Sequence, residues 1–290
     1  MRGPARDDGR AVVLAPVTVA VAAAAIAAVA VGAGAVTAGV GPEAAGAWLL
    51  PVAVVVAWES VFLARRTGLN HPPGDPGAVA AGIGVANAVT LGRGLLYAGV
   101  AGFVLTGPLA GAWAWAPALL YGIGAAMDAV DGALARRFGR PTVLGAKLDM
   151  GIDTLGFLVA PLVGVAWGRL PVWYLTLSAA RYLFKLGRWR RHRRGLPVFD
   201  LPDSRVRRPL AGVQMAFIAV ALAPVLPPFV VAVLAGVVVV PSLAVFVRDY
   251  LAVAGHLSRA EVDAGVDADT ETGTDGDTGV TGDGADPADD

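Results

Sequence analysis

The sequence contains no cysteine, so disulfide bonds, thiolate metal sites and a cysteine nucleophile are all excluded. Lysine is almost absent as well, because Lys147 and Lys185 are the only two among 23 basic residues. Charged residues make up just 16% of the chain. Apolar residues are abundant: 56% of the 290 residues are hydrophobic, and the mean hydropathy is +0.63. This composition is typical of a membrane protein with several transmembrane helices.

The formal net charge of zero hides an uneven distribution of charge along the chain. Every lysine and arginine lies at or before Arg259, whereas eleven of the 23 acidic residues lie between Glu261 and Asp290. The tail of residues 257–290 is therefore acidic and has few apolar side chains. Such a segment cannot bury enough surface to offset its conformational entropy, so we expect it to be disordered.

The apolar runs predict an all-α fold, a polytopic transmembrane helix bundle. Residues 1–66 are expected to form an N-terminal two-helix hairpin, and residues 67–256 a six-helix core that follows a linker rich in proline and glycine. The predicted hairpin spans cover about residues 11–35 and 45–63. The predicted core spans cover about residues 87–105, 112–136, 144–167, 171–186, 209–225 and 227–247.

Side chains near the ends of these spans have simple structural interpretations. Glu59 lies near the inner end of the second hairpin span and is interpreted as a carboxylate that snorkels to the interface, with a functional role as the alternative. Four tryptophans lie at predicted outer ends and are interpreted as interfacial anchors: Trp113, Trp115, Trp167 and Trp173.

Four aspartates interrupt an otherwise apolar region: Asp128, Asp131, Asp149 and Asp153. Carboxylates are costly inside a bilayer and are normally retained there for function. On a helix, Asp128 and Asp131 share one face, and Asp149 and Asp153 lie one turn apart on another. The polar residues between the two pairs allow the chain to reverse, so an antiparallel helix pair would direct all four carboxylates at one spot. Such an oxygen-rich site without Cys or His suits Mg²⁺ or Mn²⁺.

These residues resemble the signature of the CDP-alcohol phosphatidyltransferase family, which are integral membrane phospholipid synthases. Every fixed position is present in the pattern Asp128-x2-Asp131-Gly132-x2-Ala135-Arg136-x8-Gly145-x3-Asp149-x3-Asp153. The resemblance implies a membrane phosphatidyltransferase that transfers a phosphatidyl-type group from a CDP-linked lipid to an alcohol acceptor and releases CMP. Two other classes remain open: an ion or proton transporter that uses intramembrane aspartates, and a catalytically inactive membrane scaffold.

The resemblance also implies roles for individual residues. Asp128 and Asp149 would bridge two Mg²⁺ or Mn²⁺ ions, Asp131 would complete the ligands of one ion, and Asp153 would bind the other. Asp153 is in addition the expected catalytic residue, as general base. The residues expected to bind the CDP group are Asn87, Thr90, Arg93, Gly132, Ala135, Arg136, Thr142 and Gly145.

Four cations are candidates for binding the acceptor: Arg181, Lys185, Arg207 and Arg208. They could hold a phosphorylated alcohol, or they could instead serve positive-inside topology and attract anionic lipid. The expected partners are a CDP-linked lipid, a small alcohol acceptor, membrane lipid and a second copy of the chain in a homodimer, with no nucleic acid.

The loops between the predicted spans differ in charge. Loops on one side contain the basic clusters at residues 65–66, 136–140 and 185–208, whereas those on the other contain only Glu43 and Arg169. Because basic loops remain in the cytoplasm, the sequence predicts a multi-pass cell-membrane protein with both termini and the aspartates on the cytoplasmic side.

Overall fold

The computed structural model describes residues 8–80, 82–138, 142–199, 204 and 206–256, with side chains described in these ranges except at 8–22 and 129–138. The predicted acidic tail lies outside the described residues. Within them, all regular structure is helical, which confirms the predicted all-α fold. The eight α-helices are α1 (Asp8–Gly39), α2 (Pro42–Ala64), α3 (Val85–Gly102), α4 (Ala116–Phe138), α5 (Val143–Ala166), α6 (Leu175–Arg193), α7 (Arg207–Leu222) and α8 (Pro228–Val253).

Three of the described helices, α2, α5 and α8, are long and apolar enough to cross a membrane. In α1, whose side chains are described from residue 23 on, the described segment Ala23–Gly39 is apolar. Helices α4 and α6 carry charged residues at their C-terminal ends, and α7 has only 16 residues. Their length and composition alone therefore do not identify them as membrane spans. The helical membrane bundle is thus confirmed, whereas eight separate membrane crossings stay a prediction.

Two helix ends differ from the predicted spans for local reasons. Helix α6 continues beyond residue 186 to Arg193, because lysine and arginine are good helix formers and cations favour the last turn of a helix. Helix α7 ends at Leu222, short of the predicted residue 225. Ala223 is extended there because it precedes Pro224, which disfavours a helical conformation in the preceding residue.

Helix α3 lies at the centre of the bundle and packs against α2, α4 and α5. Its Tyr97 is fully buried and lies against Gly124 of α4 and Gly156 of α5. A Cβ at these glycines would stand 2.6 and 2.7 Å from the Tyr97 ring, so the absence of a side chain lets the helices approach closely. Asp128 follows Gly124 by one turn, and Asp153 precedes Gly156 by less than one turn. The same close crossing therefore brings the two aspartates together.

The N-terminal hairpin is docked on α3 by polar and apolar contacts. Trp48 of α2 donates an indole hydrogen bond to the carbonyl oxygen of Gly99, at 3.0 Å. Glu59 of α2 is 6% exposed, and its carboxyl lies against Gly94 of α3. The snorkelling interpretation of Glu59 is therefore wrong, because a snorkelling carboxylate would reach solvent.

One of the four tryptophans assigned to the interface is a core residue. Trp167 is 7% exposed and donates its indole N–H to the carbonyl oxygen of Phe103, at 2.9 Å. Its ring also packs edge-on against the Phe103 ring, with 5.9 Å between centroids. The hydrogen bond satisfies the indole inside the bundle, so this residue needs no interfacial water. Trp115 and Trp173, by contrast, are exposed.

Candidate active site

Three polar residues of α3 share one inward face of the helix. Asn87, Thr90 and Arg93 follow one another at intervals of three residues, so they lie on neighbouring turns of the same face. All three are buried, with relative exposures of 5%, 6% and 0%. The Thr90 hydroxyl donates to the carbonyl oxygen of Ala86 at 3.1 Å. Buried polar groups of this kind need hydrogen-bond or ion-pair partners inside the protein.

Arg93 finds its partners in three of the predicted aspartates. One guanidinium nitrogen, Nη1, lies 2.8 Å from Asp128 Oδ1 and 3.0 Å from Asp149 Oδ1. The other, Nη2, lies 2.5 Å from Asp153 Oδ1. The aspartate side chains are 30–52% exposed, whereas the guanidinium is fully buried beneath them. The structure thus brings Asp128, Asp149 and Asp153 together around a single cation from a third helix.

The donor set of this cluster fits a divalent metal ion. Asp128, Asp149 and Asp153 each offer a carboxylate oxygen, and these oxygens all lie within 4.8 Å of one another. Hard cations such as Mg²⁺ and Mn²⁺ prefer carboxylate oxygens. Three carboxylates around one guanidinium also leave an excess of negative charge, which a cation would offset. The described residues of the cluster can therefore hold a divalent ion through the partly exposed side of the three aspartates.

The other half of the α4 signature cannot be placed at side-chain level. Asp131, Gly132, Ala135 and Arg136 lie in α4, but their side chains are outside those described. Asp131 follows Asp128 by three residues and so lies on a neighbouring part of the same helix face. The role of Asp131 as a metal ligand and those of Gly132, Ala135 and Arg136 in CDP binding remain predictions.

Two residues expected to bind the CDP group begin helix α5. Thr142 is the N-cap of α5, and its hydroxyl accepts a hydrogen bond from the Gly145 backbone N–H at 3.0 Å. Gly145 faces Asn87 of α3, where a Cβ would stand 2.7 Å from the Asn87 side-chain oxygen. Any larger residue at position 145 would displace this amide. The structure therefore gathers Asn87, Thr142 and Gly145 where the ends of α3 and α5 meet.

Asn87 is held by a residue that the sequence did not single out. Its amide nitrogen donates to Asn70 Oδ1 at 3.3 Å and to the carbonyl oxygen of Ile83 at 2.8 Å. Asn70 lies in the linker between the hairpin and the core and is only 1% exposed. Asparagine is common in turns, and Asn70 lies beside a run rich in proline and glycine. The local sequence therefore indicates a turn and does not reveal the buried contact with Asn87.

A cavity of about 190 Å³ adjoins Asp153 between α5, α6 and α8. Two of the four candidate acceptor-binding cations line it, Arg181 and Lys185, together with Thr154. Lys185 Nζ donates to the Thr154 hydroxyl at 2.8 Å. The remaining lining residues are Met150, Phe184 and Phe246. The cavity is thus cationic on one wall and meets the aspartate cluster on the other.

Arg181 is fixed in this wall by several contacts. Its guanidinium carbon lies 3.6 Å from the centroid of the Phe157 ring, and Nη2 donates to Gln214 Oε1 at 3.1 Å. Gln214 is itself buried and donates to the hydroxyl of Ser242 at 2.7 Å. Stacking and hydrogen bonding together hold the planar guanidinium in one orientation.

The other two candidate acceptor-binding cations lie elsewhere. Arg207 Nε lies 2.9 Å from Asp249 Oδ2, so its charge is offset by a carboxylate of α8 that is also paired with Arg248. Arg208 is exposed. Neither residue lines the cavity beside Asp153. The structure therefore brings together Arg181 and Lys185 at the aspartates, but not Arg207 and Arg208.

Comparison with known proteins places the chain in a family. The sequence profile of the CDP-alcohol phosphatidyltransferases matches residues 83–251, which is more than half of the chain. Over 90 residues the chain is 37% identical to a cardiolipin synthase (CMP-forming) from Streptomyces coelicolor. That match covers 30% of this chain and 40% of the relative, so the chain spans less than half of the relative's length. No solved structure matches the chain.

Proposed function

Because the chain belongs to the CDP-alcohol phosphatidyltransferase family, we propose that it is a membrane phosphatidyltransferase of phospholipid synthesis. It would transfer a phosphatidyl-type group from a CDP-linked lipid to an alcohol and release CMP. The observation that carries this proposal is the convergence of Asp128, Asp149 and Asp153 on Arg93, directly beside a cationic cavity. The carboxylates supply a site for the diphosphate end of the donor, and the cavity supplies a site for the acceptor.

At the aspartate cluster, one bond to the lipid-linked phosphorus would form and another would break. The alcohol oxygen forms a bond to the lipid-linked phosphorus, and the bond from that phosphorus to the bridging diphosphate oxygen breaks. CMP leaves with the electron pair of the broken bond. Divalent cations bound by the carboxylates would neutralise phosphate charge and stabilise the leaving group. Arg93 holds the three carboxylates close together, since each of them contacts its buried guanidinium.

Asp153 is the aspartate best placed to accept the proton of the attacking hydroxyl. It is a member of the cluster around Arg93 and also lines the cavity that contains Arg181 and Lys185. Asp128 and Asp149 do not line that cavity. An acceptor in the cavity would therefore meet Asp153 before the other two described carboxylates.

Replacement of Asp153 by Asn should separate proton transfer from donor binding. We expect turnover to fall by roughly 10²–10⁴, the usual contribution of a positioned acid–base group. Binding of the CDP-linked lipid should persist, because Asp128, Asp149 and Arg93 remain. Donor binding and CMP release would be measured in purified protein at several Mn²⁺ concentrations. Recovery of near wild-type turnover at high Mn²⁺ would show that Asp153 is only a ligand.

The cavity chemistry supports an anionic acceptor, an alcohol that also carries a phosphate. Arg181 and Lys185 place two positive charges on one wall, and a fixed guanidinium can bind phosphate oxygens in a bidentate manner. The phosphate could belong to a small water-soluble alcohol or to the headgroup of a phospholipid with a free hydroxyl. A panel of acceptors tests this: neutral alcohols, alcohol phosphomonoesters and hydroxyl-bearing anionic phospholipids, each supplied with a CDP-linked lipid and Mn²⁺. CMP release with neutral alcohols alone would contradict the assignment of the cavity.

Lys185→Met distinguishes acceptor binding from a general effect of basic charge. Lys185 is exposed, so its removal should cost little stability, and we expect the acceptor KM to rise by about tenfold while the donor KM stays unchanged. Arg188→Met is the matched control, because Arg188 is an exposed cation one turn further along α6 and does not line the cavity. Equal effects of the two substitutions would favour the alternative in which these cations serve topology and lipid attraction.

The proposal extends to location and assembly. Basic loops lie at the same end of the predicted spans as the aspartates, which supports an active site and termini on the cytoplasmic side of a cell membrane. The homodimer stays a prediction, since the structure describes one chain. The transporter and the inactive scaffold are less favoured, because the described aspartates cluster at one end of the bundle around Arg93 and adjoin a cationic cavity.

A further inference from the structure

The C-terminal end of α6 carries several positive charges that no described carboxylate offsets. Residues 190–194, which we call the basic end of α6, are four arginines and one histidine. Arg190, Arg193 and Arg194 are exposed, and none of the three forms an ion pair with a described residue. The helix dipole contributes only about half a negative charge at the C-terminus of a helix, so it cannot balance them. The basic end of α6 is therefore a surface that fits an anionic partner.

Helix α8 ends directly beside the basic end of α6. Arg191 Nη2 donates to the carbonyl oxygen of Ala254 at 3.0 Å. The backbone N–H of Phe199, a few residues beyond the basic end, donates to the carbonyl oxygen of Val253 at 3.2 Å. These contacts fix the end of α8 against the end of α6. The chain that follows residue 256 therefore begins next to the exposed arginines.

That following segment is the acidic tail, residues 257–290, which lies outside the described residues. Its sequence contains eleven carboxylates and a single basic residue, Arg259. Helix α8 itself has one carboxylate at this end, Asp249, which is buried and already paired with Arg207 and Arg248. The tail is thus the part of the chain whose charge complements the basic end of α6.

The tail is also long enough to return to this surface. A glycine-rich chain of its length has a root-mean-square extension of about 29–35 Å. The basic end of α6 extends only about 6 Å along the helix axis. Because the tail starts beside this surface and belongs to the same chain, its carboxylates have an effective concentration there in the millimolar range. This tethering favours the tail over soluble anions.

We propose that the acidic tail is the partner of the basic end of α6, and that it excludes other anions, including anionic lipid headgroups, from this surface. Each exposed ion pair is weak, but several pairs on a tethered segment together keep the surface occupied. The contact depends on charge, so it needs no fixed fold of the tail and weakens with salt. None of its residues belongs to the catalytic site, so it is independent of the proposed function.

The test measures the distance between the tail and the basic end of α6 by fluorescence energy transfer. Because the chain has no cysteine, Leu196→Cys and Thr274→Cys place one label at an exposed position after α6 and one within the tail. Full-length protein is studied in neutral detergent at 0.1 M and 1 M NaCl, between which the Debye length falls from about 10 Å to about 3 Å. An attracted tail should move away when salt is added, and we expect the separation to rise roughly 1.5-fold. A free acidic tail should instead contract, because salt screens its self-repulsion.

Arg193→Gln combined with Arg194→Gln, added to the labelled protein, removes two charges from the basic end. Both side chains are exposed and glutamine is a good helix former, so the fold should be retained. At 0.1 M NaCl the separation should already be roughly 1.5-fold larger, and it should fall with salt. Arg65→Gln with Lys147→Gln is the matched control, because it removes two exposed cations elsewhere and should leave the separation unchanged. Equal separations in the two double variants, or a labelled parent protein that contracts with salt, would overturn the inference.

The same labels distinguish the tail from lipid as the partner of the basic end. The labelled proteins are reconstituted in bilayers of phosphatidylcholine, with and without phosphatidylglycerol. If the tail occupies the surface, the parent protein should remain more compact than Arg193→Gln with Arg194→Gln in both bilayers. If phosphatidylglycerol raises the separation of the parent to that of the variant, lipid is the partner and the inference is wrong. CMP release from a CDP-linked lipid, measured on the same samples, tests the proposed function separately.

Discussion

Replacement of Asp149 by Asn is expected to reduce CMP release by at least about 10³-fold, because it removes several kcal/mol of charge stabilisation at the reacting phosphates. Asp149 contributes one of the three described oxygens that could hold a divalent ion, and the family resemblance implies that it would be shared between two ions. Asp128→Asn should have the same effect for the same reason. CMP release would be measured with a CDP-linked lipid over a series of Mg²⁺ and Mn²⁺ concentrations.

Folding should largely survive these substitutions. Three carboxylates surround one guanidinium, so the removal of one negative charge removes its repulsion with the two that remain. Asp75→Asn is the control, because Asp75 is an exposed linker carboxylate that contacts only the local backbone among the described residues. Asp75→Asn should leave both turnover and metal dependence unchanged. Substantial metal-dependent turnover in Asp128→Asn or Asp149→Asn would contradict the role of the cluster as a shared metal site.

Arg93→Met is expected to have the second largest effect, on stability as well as on activity. It leaves three carboxylates without the buried cation that each of them contacts. Loss of one partner from a buried ion cluster costs about 3–5 kcal/mol. Since the aspartates are 30–52% exposed and screened by solvent, we expect about 2 kcal/mol. That corresponds to a fall in Tm of roughly 4–8 °C. Turnover should fall by at least about 10²-fold, because the carboxylates are no longer held in fixed positions relative to one another.

Mn²⁺ should raise the Tm of Arg93→Met more than that of wild-type protein, since the unpaired carboxylates bind a cation more strongly. Thermal unfolding in detergent, with and without Mn²⁺, measures this difference. Arg188→Met, which removes an exposed arginine of α6, should unfold like the wild type under both conditions. A Tm of Arg93→Met that matches the wild type without metal would show that the guanidinium does not hold the cluster together.

The aspartate cluster was predictable because its information is local. Spacings within each helix set the faces, and the polar break between the two pairs allows an antiparallel arrangement. The structure agrees for Asp128, Asp149 and Asp153, which converge from α4 and α5. The helices could be predicted in the same way, because long apolar runs in a membrane protein leave few alternatives to a helical bundle. Helix ends differed where a single proline or a run of arginines acted on the backbone.

The central position of Arg93 was not predictable in the same way. Its spacing from Asn87 and Thr90 identifies a shared face, but not the helices towards which that face turns. That choice depends on Tyr97 crossing Gly124 and Gly156, which is a contact between three helices. Glu59 and Asn70 are similar cases. Each is buried by a contact with α3 that lies far away in sequence, so neither local hydropathy nor turn chemistry reveals it.

The central claim is that the acceptor oxygen attacks the lipid-linked phosphorus and displaces CMP, and isotope labelling tests it most directly. Purified protein would be given a CDP-linked lipid, Mn²⁺ and a phosphorylated alcohol whose hydroxyl carries ¹⁸O, and both products would be analysed by mass spectrometry. We predict that the label appears in the new lipid phosphodiester, that CMP is unlabelled, and that the two products form in equal amounts. Label in the nucleotide product, or CMP formed without a labelled lipid, would contradict the claim.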